Sequence, residues 1–291
     1  MSRSFIISRA RRADDRLLVL GAGSVRWIHY LKYAVELDDL DLAKTSQIWE
    51  RIPHPSDGNA FALKNIGRSG WLYLQVQNNA IVSMNGDTQA MTWALLEDRP
   101  PETSHANGSY WYNDNVAGPY NALASRDDWE QKLNIRGNGP YARGYPIIAF
   151  PWDGGAANEL WRFWPATGVP RPGSRVLLTN FEHLTQIGAT PDRGVYMHAN
   201  KLGWETWSIE DAGGGQVYLR SAHGTYLGSR QNGEVYVTPN RDAWERWVLT
   251  TDDAVRLRSA QWGLNLGSRP DGSIYTHTNR AQWERWWGTV V

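Results

Sequence analysis

Three groups of side chains share one composition and one spacing. Asn200, Lys201 and Trp204 form the first, Asn240, Arg241 and Trp244 the second, and Asn279, Arg280 and Trp283 the third. An indole offers a flat apolar face to the C–H side of a sugar ring, while amides and cationic donors bind hydroxyl groups. These residues are therefore candidate carbohydrate-binding sets. The same types also serve structure, with the indoles packed under hairpins and the asparagines satisfying turns. Both uses are open from sequence. Three shallow equivalent sites would gain by multivalency what each lacks alone.

What must position them is a repeat. The phrases Tyr196 to Trp207, Tyr236 to Trp247 and Tyr275 to Trp286 align, and the first tryptophan recurs after 40 and then 39 residues. Gly188, Gly228 and Gly267 recur upstream with the same spacing. Between glycine and phrase stand Asp192-Arg-Gly194, Asn232-Gly233 and Asp271-Gly272, a hairpin signal that predicts type I′ turns. In each repeat a second tryptophan follows the first by three residues. In a strand, positions three apart face opposite sides. Trp207, Trp247 and Trp286 are the expected core members, while Trp204, Trp244 and Trp283 stay open between the surface and packing under the hairpins. Tyr196, Tyr236 and Tyr275 also read as core.

Composition narrows the function. The chain of 291 residues is long enough for two domains. It holds 30 basic and 30 acidic residues, with 12 of each sign from Ser174 onward, so neither half has the basic excess of a nucleic-acid binder. Arg3, Arg9, Arg11, Arg12 and Arg16 are read as a solvated N-terminal arm. No cysteine is present, which excludes disulfides and thiolate metal sites and suits a cytoplasmic protein, or one released without a classical signal peptide. No apolar run is long enough for a membrane-spanning helix, so no membrane insertion is expected. Tryptophan (17) and tyrosine (13) far outnumber phenylalanine (5), which favours recognition surfaces with one buried and one wet end.

Nothing in the sequence reads as catalytic. Gly21-Ala-Gly23 lacks the third glycine of a dinucleotide loop, and no Gly-x-Ser-x-Gly elbow occurs. Thr238 matches His198 and His277, which argues against a threefold metal site. No enzyme activity, cofactor or metal is expected.

From the arm to Pro165 the chain reads as short strands: Leu17 to Leu20, Ala60 to Leu63, Trp71 to Leu74, Ala80 to Ser83 and Ile147 to Phe150. One stretch, Ile28 to Leu42, has helix-like spacing without clean caps. Gln47-Ile-Trp49, Met91-Thr-Trp93 and Asn158-Glu-Leu-Trp161 each close a block, and in this the region resembles the ricin-B lectin family and its Gln-x-Trp signature. The resemblance implies a β-trefoil whose third block carries a site, with Trp152 as aromatic platform, Asn158 as sugar-contacting amide and Trp161 in the core. Glu159 stands in place of the family's glutamine, and of its sugar-binding aspartate only Asp127 or Asp128 lies nearby.

Pro165 to Ser174, with three prolines, is the expected bridge. After it come three units of about four strands each. Leu219-Arg-Ser221, Gly224-Thr-Tyr-Leu227 and Leu257-Arg-Ser259 resemble the fascin and hisactophilin group of trefoils, whose functions run from actin bundling to sugar binding. The expectation is thus an all-β chain of two β-trefoils in tandem, residues 1–168 and 169–291. The expected function is a multivalent carbohydrate-binding lectin whose partners are glycans or glycoconjugates. The alternatives are an actin- or protein-binding interaction protein and a toxin targeting module.

Overall fold

In the computed structural model the described residues are 2–14, 16–25, 32–67, 70–74, 81–85, 110–117, 120–125, 130–151, 154–251 and 254–291. Among them, regular structure is β-strand apart from short 3₁₀ turns, so the chain is all-β. It divides into two compact units. Unit 1 comprises 1–40 and 44–166; unit 2 comprises 41–43 and 167–291.

Unit 1 carries β1 (Ser2–Arg11), β2 (Leu17–Val25), β3 (Lys32–Asp39), β4 (Ile48–Pro53), β5 (Ala60–Asn65) and β6 (Gly70–Leu74). It continues with β7 (Ile81–Asn85), β8 (Tyr110–Ala117), β9 (Tyr120–Ser125), β10 (Gln131–Ile135), β11 (Ile147–Pro151) and β12 (Trp161–Pro165). Six of these close a ring by antiparallel pairing, in the order β1, β4, β5, β8, β9, β12 and back to β1. The other six form three hairpins, β2 with β3, β6 with β7 and β10 with β11. Closure removes the exposed edges that short strands would otherwise present.

Two expectations fail here. Ser2–Arg11 is no solvated arm: it is a ring strand, with Phe5, Ile6, Ile7 and Ala10 buried and arginines only at its ends. Of the stretch read as helical, Lys32–Asp39 form β3 instead, and residues 28–31 lie outside the described residues. The alternate residues Val35 and Leu37 of β3 pair with Ala22 and Leu20 of β2 and enter the core, so cross-strand burial outweighs a weak helical periodicity.

Unit 2 repeats the plan. Its strands are β13 (Arg175–Asn180), β14 (Gln186–Ala189), β15 (Val195–His198), β16 (Thr206–Gly213), β17 (Gln216–Ser221) and β18 (Tyr226–Ser229). Then follow β19 (Val235–Thr238), β20 (Trp247–Thr250), β21 (Arg256–Ser259), β22 (Asn265–Ser268), β23 (Ile274–His277) and β24 (Trp286–Val290). The ring runs β13, β16, β17, β20, β21, closes through a Val255–Trp286 bridge to β24, and returns to β13. The hairpins are β14 with β15, β18 with β19 and β22 with β23. From Thr167 the proline-rich stretch is docked on this unit. Pro170 is buried against Gly288, and Thr167 Oγ1 accepts the Val290 N–H.

The hairpins turn differently from expectation. Gly233 and Gly272 have positive φ, but Asn232 and Asp271 do not, which rules out type I′. In all three the residue after β14, β18 or β22 accepts a turn hydrogen bond and donates one four residues on, as Arg230 does with Gly233 N and Glu234 O. This is a three-residue loop, a type I turn followed by one left-handed residue. In the first repeat Arg193 holds that position, at φ 70°.

The core of each unit is organised around tryptophan. Trp49 and Trp161 in unit 1, and Trp207, Trp247 and Trp286 in unit 2, are fully buried. Each indole N–H donates to a hairpin carbonyl, that of Leu20, Leu133, Ile187, Leu227 or Leu266, at 2.8–2.9 Å. One side chain thus fills the barrel and ties a hairpin to it, with no buried donor left over.

Candidate functional site

The residue preceding Glu-x-Trp is set by a 3₁₀ turn. Gly203–Glu205, Ala243–Glu245 and Gln282–Glu284 are such turns, each leading into or just preceding a ring strand. The closing glutamates are buried, and two bonds explain why that is tolerated. One carboxylate oxygen accepts the backbone N–H of the residue before the turn, Leu202, Asp242 or Ala281, at 2.9 Å. The other accepts a tyrosine hydroxyl: Tyr196 on Glu205 at 2.5 Å, Tyr236 on Glu245 at 2.6 Å, and Tyr275 on Glu284. A buried carboxylate with charge-assisted partners stabilises the turn; without them it would cost several kcal/mol. Desolvation, followed by the hydrogen bond to the carboxylate, raises the pKa of all three tyrosines above the ordinary phenol range.

These tyrosines are half-buried, with their rings lying over the repeated glycines. A Cβ at Gly188, Gly228 or Gly267 would stand 2.5–2.7 Å from the tyrosine Cζ, a contact no side chain tolerates. The glycine recurs because the tyrosine needs its floor. His198, Thr238 and His277 also gain an account: each side chain accepts the N–H of Asn200, Asn240 or Asn279 at 3.0–3.3 Å. Thr238 substitutes for histidine because only a turn acceptor is required there.

On this clamp the first tryptophan of each repeat turns outward. Trp204 is 48% and Trp244 45% exposed, while Trp283 is half-buried. Each has a neighbouring ring in a tilted or edge-to-face contact. His223 meets Trp204 at 5.2 Å, Trp262 meets Trp244 at 5.7 Å and His183 meets Trp283 at 5.8 Å, centroid to centroid. The partner ring always comes from the first loop of the next repeat, the third pairing with the first. Trp262 is itself fixed by its N–H to Ser229 O at 2.9 Å. An indole ordered by a neighbouring ring and still partly exposed can meet a ligand at little entropic cost.

Two clefts lie at equivalent positions. The first, about 640 Å³, is lined by Thr190, Tyr196, His198, Asn200, Leu202, Trp204 and their neighbours. The second, about 580 Å³, is lined by Arg230, Tyr236, Thr238, Asn240, Asp242, Trp244 and theirs. Asn200 with Trp204, and Asn240 with Trp244, are therefore brought together. The cations stand elsewhere. Arg241 reaches Glu210 at 3.5 Å and lies over Tyr218 at 4.8 Å, and Lys201 is exposed beside the first cleft without lining it. The cation of the second cleft is Arg230, held over Tyr236 at 5.1 Å and paired with Glu234 at 2.6 Å. Arg269 lies over Tyr275 in the same way, at 4.5 Å. Their signal was present in the sequence, since Ser229-Arg230 and Ser268-Arg269 follow the repeated glycine at one spacing. In the third repeat Asn279 and Arg280 are exposed, and Asn279 O accepts from Asn265 at 2.8 Å.

In unit 1, Trp152 lies outside the described residues, as do Trp93, Asp127 and Asp128. Asn158 is half-buried, and its amide donates to Asn134 Oδ1 at 2.8 Å. Glu159 accepts the N–H of Gly155 at 2.6 Å and of Ala156 at 2.9 Å, and so plays the part the glutamates of unit 2 play.

No protein-family model and no curated protein matches the chain. Among solved structures it is similar to one described as "Structure and mode of action of a mosquitocidal holotoxin", at 13% identity and a TM-score of 0.43. The match covers 99% of this chain and 34% of that one, so the chain spans about a third of the toxin's length. A likeness at that level bears on neither ligand nor activity.

Proposed function

We propose that the chain is a carbohydrate-binding protein that recognises glycans without catalysis, built as two β-trefoils in tandem. The trefoil reading is supported by the closed ring of six strands and the three hairpins in each unit, repeated around buried indoles. The observation that carries the functional reading is the outward indole of unit 2. It recurs three times on one clamp of tyrosine, glutamate and backbone, and twice it borders a cleft that also holds an asparagine. Aromatic faces with a few polar groups on a rigid support suit sugars. A buried indole in the same repeat already serves the core, and Trp204 and Trp244 stay nearly half exposed beside their ring partners, so a large part of each indole remains for a ligand. Weak binding at each position would be multiplied on a branched or surface-bound glycan.

The test is a glycan array with the purified full-length chain. Selective signal that free sugar competes away is expected. A blank array at high protein concentration would overturn the proposal.

A further inference from the structure

The repeats share a clamp but not a lining. The residue before the 3₁₀ turn is Leu202 in the first repeat, Asp242 in the second and Ala281 in the third. All three donate their backbone N–H to the buried glutamate at the same 2.9 Å, so the main chain is held alike whatever side chain it bears. That leaves the side chain to shape the cleft. Leu202 is 66% exposed and lines the first cleft beside Trp204. Asp242 lines the second beside Trp244. The residue after the repeated Gly-Ala or Gly-Ser differs too: Thr190 lines the first cleft where Arg230 lines the second. The first cleft accordingly offers leucine, indole, threonine, asparagine and histidine, and its one carboxylate, Glu205, is buried and already bonded.

An isobutyl group held exposed beside an indole is apolar surface awaiting a partner of the same kind. Extended sugars carry such surface mainly as a methyl group, either on an acetamido substituent or in a deoxy position. Building on the carbohydrate-binding reading, we infer that the first cleft selects a neutral sugar bearing a methyl substituent, and that Leu202 is the residue that decides it. In the second cleft Asp242 and Arg230 replace that apolar wall with hydrated charge, so a methyl group gains nothing there.

The experiment uses the full chain carrying Trp244→Ala and Trp283→Ala, so that of the three indole sites in unit 2 only the first remains. Calorimetric titration compares N,N′-diacetylchitobiose, 6,6′-dideoxycellobiose and cellobiose, neutral β-1,4-linked disaccharides of one configuration that carry acetamido methyls, deoxy methyls or neither. Either the first or the second should bind about tenfold more tightly than cellobiose, the low end of what one apolar group contributes in a pocket. Which of the two prevails separates acetamido from deoxy recognition. Leu202→Asp should erase the ratio while leaving the thermal midpoint in place, since aspartate already occupies this position in the second repeat. The converse chain, with Trp204→Ala, Trp283→Ala and Asp242→Leu, should acquire the preference. Equal affinity for all three sugars, or a ratio that survives Leu202→Asp, would overturn the inference. So would binding of none of the three by a chain that is positive on the glycan array, and in that case the carbohydrate reading would stand. A blank array would remove both.

Discussion

Residues Ala157–Trp161 of unit 1 and Ala243–Trp247 of unit 2 make the same turn for different ends. In both, a glutamate closes a 3₁₀ turn and reaches back to backbone N–H groups, and the tryptophan two residues on is fully buried with its N–H on a hairpin carbonyl. The residue before the glutamate differs. In unit 1 it is Asn158, whose amide is bonded to Asn134; in unit 2 it is Trp244, turned to solvent at the rim of a cleft. Nine residues before the glutamate stand Phe150 and Tyr236, and only the tyrosine can add a hydroxyl to the carboxylate. The Glu-x-Trp pair is therefore architecture common to both units. The position before it is free of that duty and can serve recognition.

Removing the architectural member should do the most damage. Trp247→Ala is expected to cost about 3–5 kcal/mol, from lost burial and an unfilled cavity, and calorimetry should show unit 2 melting far earlier or not folding. Retention of the midpoint within a few degrees would break the comparison.

Alkali should distinguish the tyrosine clamps. The pKa values of Tyr196, Tyr236 and Tyr275 are raised in the folded chain, by burial first and the carboxylate bond second. A raised folded value means the stabilisation is full below the unfolded value of about 10 and is lost as pH rises through the folded one. Unit 2 should lose stability only above pH ~10, in step with tyrosinate absorbance. Replacing all three tyrosines by phenylalanine should flatten that loss.

Gly228→Ala places a Cβ against the Tyr236 ring and is expected to cost about 1–3 kcal/mol, as overpacking does. The smallest effect runs the other way. Arg193 holds a left-handed position that glycine fills in the other two repeats, so Arg193→Gly should stabilise unit 2 by about 0.5 kcal/mol, read by chemical denaturation.

Much of this was legible from spacing. The threefold period of unit 2, its hairpin strands and its core set Trp207, Trp247 and Trp286 follow from residue types at fixed intervals, whereas spacing leaves Trp204, Trp244 and Trp283 open between surface and packing, and Trp161 rests on the family resemblance. The reasoning about opposite faces set the two indoles of a repeat apart by the wrong local structure, because Trp204 sits in a 3₁₀ turn rather than a strand. What spacing missed was made by tertiary contact. The strand Ser2–Arg11 is masked by its terminal arginines, and β3 is decided by its partner β2. The rings beside the outward indoles, His183, His223 and Trp262, come from a neighbouring repeat. Arg241 was assigned to a site from its neighbours in sequence, whereas packing sends it to Glu210 and Tyr218 and brings Arg230 to the cleft instead.

The most direct test of the account is the triple variant Trp204→Ala, Trp244→Ala and Trp283→Ala, assayed against a glycan that the full-length chain binds. The account predicts that binding falls to background while the thermal midpoint stays close to that of the unaltered chain, because these indoles lie outside the core. Undiminished binding by a folded triple variant would contradict it.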